Sequence, residues 1–176
     1  GTEIPTRTFL WVSGIRANAM PGISDDHQGR GFRFKVDQFN RIPGLDGVFA
    51  IGDQCLQTSD AAYPNGHPQV AQVAIQQAKN LAKNLKRINE GQDDSALTAF
   101  KYNNLGSMAT IGRNKAVVEI GKFRSQGFFA WILWLVVHLR SILGVKNKMM
   151  VLLNWLWKYV SYNDSIRMIT YATKPR

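Results

Sequence analysis

Residues 47–89 confine this chain to the α/β class. Gly47-Val48-Phe49-Ala50-Ile51 is a short apolar run of the kind that fills a central parallel strand, and it stops at Gly52-Asp53. Downstream, Val70, Val73, Ala74, Ala78, Leu81, Leu85 and Ile88 follow a three-four periodicity. That pattern predicts an amphipathic helix reaching about residue 89, with Pro68 well suited to its first position. Lys79, Lys83, Lys86 and Arg87 crowd the later turns, where the negative end of the helix dipole favours cations.

The flanking segments read more briefly. Thr8–Gly14 is expected as a short buried strand, and Ala17–Gly29 as loop. Phe32, Phe34 and Val36 alternate with Arg33 and Lys35, the period of a half-buried strand. Pro43-Gly44 marks a turn, and Gln54 to His67 reads as loop. Met108–Ile111 and Ala116–Ile120 are strand-like runs on either side of Gly112-Arg113-Asn114-Lys115, which predicts a hairpin. The lone Cys55 excludes a disulfide framework and a Cys-rich zinc site, and it reads as a small buried residue. His27, His67 and His138 have no ligand spacing, so no metal is expected. No signal-peptide pattern stands at the N-terminus, and a reducing, cytosolic setting fits.

Charge divides the chain. Residues 122–176 carry nine Lys and Arg against Asp164 alone, out of a net charge of +10 for all 176 residues. Four of the five tryptophans, Trp131, Trp134, Trp155 and Trp157, fall in the same stretch. Such a pairing suits a partner surface that is both anionic and apolar. Phe128 to Val137 is an unbroken apolar run, but its ten residues fall short of the roughly 20 that cross a bilayer. Asn147, Asn154, Lys158 and Ser161 form one polar stripe on a second helix that is otherwise largely apolar. Helices lying in a membrane interface have this character. The other reading is a helical hairpin packed into a core or a dimer interface. Nucleic acid fits poorly, because the apolar residues form blocks instead of interleaving with the cations.

Two constellations carry chemistry. At the end of the 47–51 run, Gly52 would allow close approach of a ligand and Asp53 could accept hydrogen bonds from sugar-like hydroxyls, at the strand end where open α/β sheets bind ligands. The same residues could simply make a turn. At the start of the long helix, Gln72 and Gln76 share a face and present two amides near the positive helix end. That end would stabilise electron density on a nearby ligand.

Taken in order, GVFAIGD, then P-x-x-A-Q-x-A-x-Q-Q, then GSMATIGR, then a basic Trp-rich tail, the chain resembles the C-terminal part of the type II NADH dehydrogenases. These are non-proton-pumping, single-subunit NADH:quinone oxidoreductases that use FAD. TFLWVSGIRAN is similar to the segment in which the family's NADH domain returns the chain to its FAD domain. The resemblance implies that Asp53 holds the FAD ribityl chain and that Gly52 permits its approach. It implies ring contacts from Ala71 and Gln72, and a quinone and nicotinamide cavity lined by Gln72 and Gln76. Gly112 would stand at a further wall of the quinone entrance. His138 gains no role as a base.

One departure is large. None of the 15 glycines forms the G-x-G-x-x-G that opens a dinucleotide-binding unit. The chain is therefore expected to be a C-terminal fragment of a flavoprotein with two dinucleotide-binding domains, itself inactive and holding FAD weakly or not at all. Residues 1–121 would complete the FAD domain, with the end of the NADH domain at 1–18. Residues 122–176 would form docking and dimerisation helices on the cytoplasmic face of the cell membrane. The implied partners are quinone, the lipid surface and a second copy of the chain. The alternative is a membrane-surface or oligomerisation module with no activity of its own.

Overall fold

The computed structural model describes residues 3–161 apart from positions 11, 13 and 19. Those residues form two compact units, one up to Asn104 and one from Leu105. The division falls well before the 121/122 boundary read from charge. Cations and tryptophans accumulate after Gly121, but the strand that follows pairs with the sheet before it, and this pairing keeps them in one unit.

In the first unit β1 (Phe34–Val36) runs parallel to β2 (Cys55–Gln57), with Phe34 opposite Cys55 and Val36 opposite Gln57. Phe34 and Val36 point inward, joining Ile42, Ala50 and Cys55 in one apolar cluster. Full burial of a side chain such as Phe34 contributes about 2–3 kcal/mol. The predicted alternation slips at its start. Phe32 is exposed with a φ of 59°, while Arg33 is buried and donates from Nη1 to the carbonyl of His67 at 3.0 Å.

Two predicted strands take other forms. Thr8–Gly14 is not a strand in its described residues, and Val12 is 90% exposed. A buried strand needs a neighbour on at least one edge, and no strand pairs with it among the described residues. Gly47–Ile51 is not part of the parallel sheet either. Asn40, at a φ of 66°, and the Pro43-Gly44 turn fold residues 40–42 back against it. Ile42 N–H then donates to the Val48 carbonyl and Ala50 N–H to that of Asn40, both at 3.0 Å. The run is apolar because Val48 and Ala50 face the core, not because it lies mid-sheet. The parallel strand is β2, inside the stretch read as loop.

Helix α1 (Ala71–Asn89) begins three residues after Pro68, because Val70 is still extended. Its sequence of Ala, Gln, Lys and Leu favours helix throughout. Gly91, at a φ of 76°, ends it by donating to the Ile88 carbonyl.

The second unit is a three-stranded antiparallel meander, β3 (Ser107–Thr110), β4 (Ala116–Ile120) and β5 (Phe123–Gly127). Gly106 precedes it at a φ of 99°, where a Cβ would collide with the Glu119 carbonyl. Helix α2 (Phe128–Ser141) packs its fully buried Ala130 against Ala116 and Val118. Helix α3 (Val145–Ser161) follows a short connection through Gly144. Its half-buried positions are Lys148, Val151, Trp155, Lys158 and Ser161, and Trp155 meets Trp134 of α2 with ring centres 5.8 Å apart. Of the polar stripe read from the sequence, Lys158 and Ser161 therefore lie on the half-buried side and Asn147 and Asn154 are exposed. The rest of α3 exposes apolar groups, Trp157 to 69%, as does Phe129 of α2 to 81%. Among the described residues no helix is long and apolar enough to cross a membrane. Residues 162–176 of the expected docking region lie outside the described residues.

Candidate functional site

The Gly52–Gln54 turn and the first turns of α1 are tied together by side chains. Gly52, at a φ of 63°, donates its N–H to Gln77 Oε1 at 2.7 Å. A Cβ there would stand 3.2 Å from the Ala74 Cβ, so the turn packs directly on the helix. Gln69 Nε2 donates to the Asp53 carbonyl at 3.0 Å. The predicted residues Gly52, Asp53, Ala71 and Gln72 are thus collected around one helix end. The Asp53 carboxylate is exposed and accepts no hydrogen bond from the described residues. Val70, the N-cap, supplies no side-chain bond to the α1 N–H groups. An acceptor-only carboxylate beside an uncapped positive helix end fits a ligand that combines hydroxyl donors with an electron-rich group.

The two glutamines expected to act as a pair differ. Gln72 is half-buried near the helix start. Gln76 binds the Asn103 backbone with both ends of its amide, donating at 2.9 Å and accepting at 3.0 Å. It fixes Asn103, at the end of the segment that Asn80, Asn84 and Arg87 also hold.

Gly112 belongs to the second unit. It borders a cavity of about 440 Å³ with Arg113, Lys158 and the rings of Trp131, Trp134, Trp155 and Tyr159.

The sequence pattern of the NDH2 C-terminal domain matches residues 104–162. An internal alternative NAD(P)H-ubiquinone oxidoreductase A1 of Arabidopsis thaliana mitochondria is 32% identical over 96% of this chain and 36% of its own length. A type II NADH:quinone oxidoreductase of Mycobacterium tuberculosis is 37% identical over 90% of this chain and 34% of its own. This chain belongs to the type II NADH:quinone oxidoreductase family. It spans about a third of the length of the curated relatives it matches. In fold it is similar to NDH2 from Plasmodium falciparum, solved in complex with NADH, with a TM-score of 0.67 at 17% identity over 78% of this chain and 41% of that one.

Several side chains that tie the first unit together had no sequence signal. Gln77, fully buried, bonds the Gly52 N–H and also donates to Cys55 Sγ at 3.4 Å. Asn40 donates to the same sulfur at 3.5 Å and to the Ala50 carbonyl at 3.2 Å. Burial nevertheless pushes the Cys55 thiol above its ordinary pKa and keeps it neutral. His67 Nε2 lies 3.0 Å from Asp60 Oδ2, with both side chains largely buried. The His67 ring is edged by Phe100 and Tyr102 and tilted against Tyr63. An extra glutamine beside a recognised pair, as in Gln76-Gln77, is the one clue a sequence offered. The inward Asn40 needed its left-handed backbone to be known first.

Proposed function

We propose that this chain forms part of a flavoenzyme that carries electrons from NADH through FAD to a membrane quinone. When bound, FAD supplies the redox chemistry, accepting hydride on one side and releasing electrons on the other. Asp53 accepts hydrogen bonds from the ribityl hydroxyls, and Gly52 lets that polyol come close to the backbone. Ala71 and Gln72 meet the ring at the positive end of α1, which stabilises electron density there. Gln76 lines the quinone cavity beside Gln72 and fixes its edge through the bonds to Asn103. The observation that carries this reading is the uncapped start of α1, fixed beside Gly52-Asp53 by Gln77 and Gln69. The plant and mycobacterial relatives, an NAD(P)H-ubiquinone and an NADH:quinone oxidoreductase, support it.

The second unit attaches the enzyme peripherally to an anionic lipid surface at the cytoplasmic face of the cell membrane. Its exposed apolar helices and cationic excess favour this role, and the same apolar faces favour a homodimer. Gly112 stands at the quinone entrance in this scheme. Asp53→Ala in the complete enzyme tests the central assignment. Flavin content should drop at least tenfold after desalting while the secondary structure stays intact. Full retention of flavin would remove Asp53 from the site.

A further inference from the structure

The second unit contains one histidine, His138, in the last turn of α2. Its Nδ1 lies 2.8 Å from the Trp134 carbonyl oxygen, one turn back. A carbonyl only accepts, so Nδ1 carries the hydrogen in both charge states and a further proton enters at Nε2. The imidazole stacks on the Trp134 ring, with centres 4.0 Å apart and planes 24° from parallel. Protonation therefore leaves both contacts in place and sets a cation over a tryptophan face, where the ring quadrupole attracts it. The last turn of a helix favours the same state, because its unpaired carbonyls draw positive charge.

Among the described residues, no unpaired carboxylate stands on an element packed against α2. Strand β3 has no titratable side chain. Strand β4 brings Glu119 and β5 brings Arg124, and these two pair with each other at 2.9 Å. Helix α3 brings Lys146, Lys148, Lys158 and Tyr159, α2 itself adds Arg140, and Arg113 lines the cavity that Trp134 borders. From Gly121 to Asn163 the sequence has no acidic residue at all. His138 is half-buried, and Val136, Val137 and Arg140 beside it are exposed, so its charge is felt at the surface. The surrounding cations oppose protonation in water. Anionic headgroups offset those cations, so lipid binding and protonation promote each other.

We infer that His138 is a proton-operated switch on lipid docking: a proton taken up at Nε2 tightens the hold of the second unit on an anionic bilayer. The inference rests on the reading that this unit meets such a surface, and adds the regulation of that contact. One further cation beside anionic headgroups is worth about 1 kcal/mol, or about fivefold in affinity. Imidazole is the side chain that ordinarily changes charge between about pH 5 and 8, which sets the range of the response.

Sedimentation of the complete enzyme with phosphatidylglycerol vesicles at about pH 6 and about pH 8 tests the switch, with phosphatidylcholine vesicles as the neutral comparison. The lipid phosphodiester stays ionised at both. Binding to phosphatidylglycerol should be about fivefold tighter at the lower pH, with no such gain on phosphatidylcholine. His138→Gln should bind at both pH values as the parent does at the higher one. His138→Lys should bind at both as the parent does at the lower one. Circular dichroism and turnover of a water-soluble quinone should match the parent in each variant. Equal parent affinity at the two pH values, or a pH gain that survives in folded His138→Gln or His138→Lys, would overturn the switch and leave the surface reading standing. A parent that sediments with neither lipid at either pH removes the surface reading and the switch together.

Discussion

The side-chain amide of Gln76 closes a two-bond ring on the backbone of Asn103, as a neighbouring strand would. Asn84 makes the same ring with Thr98, both bonds at 2.9 Å. Asn80 also donates to the Thr98 carbonyl, and Arg87 reaches the carbonyl of Ala96. One polar line along α1 thus replaces a strand edge and holds residues 97–103 beside the helix, after the 3-10 turn Asp94–Ala96. From the other side, Gln57 Nε2 donates to the Phe100 carbonyl and Asp60 accepts from the Tyr102 N–H.

Gln76→Ala removes both bonds of its ring. At about 0.5–1.5 kcal/mol each, their loss should raise amide exchange at Asn103 by about tenfold. In the complete enzyme, quinone turnover should decrease while FAD stays bound, if the segment ending at Asn103 borders the proposed quinone cavity and loosens. Gln76→Glu keeps an acceptor for the Asn103 N–H but sets a carboxylate against its carbonyl, and should resemble Ala at neutral pH. Faster exchange with unchanged quinone kinetics would make the residue a structural clasp only.

Gly52→Ala should destabilise the chain by about 1–3 kcal/mol in urea unfolding. The φ of 63° lies in the left-handed region that a Cβ disfavours, and that Cβ would press on the one of Ala74. In the complete enzyme the same variant should lose flavin. A variant as stable as the parent would mean that the turn can move off α1.

The sequence reading reached furthest where a pattern is local. The periodicity of α1, the apolar runs of α2 and α3, and the burial of Cys55 depend on near neighbours, and the family motifs lie in contiguous blocks. It fell short where a side chain answers to distant backbone. The run Gly47–Ile51 has the composition of a parallel strand, yet its hydrogen bonds go to residues 40–42, and composition does not encode that partner. Gln72 and Gln76 share a helix face, which suggests equal roles, but nothing local encodes that the Gln76 amide takes both of its bonds from the Asn103 backbone. Arg33 looked like an outward strand residue until the carbonyl of His67 appeared beside it.

Asp60 gives the fold an acid-sensitive point. Its carboxyl is held below the ordinary carboxylate range chiefly by the hydrogen bond with His67, aided by the N–H groups of Ala62 and Tyr102, against the opposing effect of burial. A pKa depressed by folding contributes stability above the unfolded value and loses it as pH falls through the folded value. Asp60→Asn should therefore be less stable than the parent at pH 7, by about 2 kcal/mol. The gap should close as pH falls below about 4, where the carboxyl of the unfolded chain takes up its proton. Urea unfolding from pH 7 to pH 3 measures both curves, and a constant gap would locate the acid sensitivity elsewhere.

The 176-residue chain on its own should be colourless and unable to oxidise NADH. FAD recognition divides between its ends: the pyrophosphate needs a glycine-rich turn at a helix N-terminus, while the contacts proposed for the ribityl chain and ring are Asp53, Ala71 and Gln72. Only the second set is present, since no G-x-G-x-x-G occurs among the 176 residues. Charge-assisted hydrogen bonds are worth about 1.5–3 kcal/mol each, so the lack of several weakens binding by orders of magnitude. The uncapped start of α1 contributes some attraction, at most about 2 kcal/mol, which is too little to compensate. Incubation with excess FAD followed by desalting and an absorption spectrum measures the outcome. A stoichiometric flavin band would mean that Gly52-Asp53 and the start of α1 hold the cofactor without a pyrophosphate cradle.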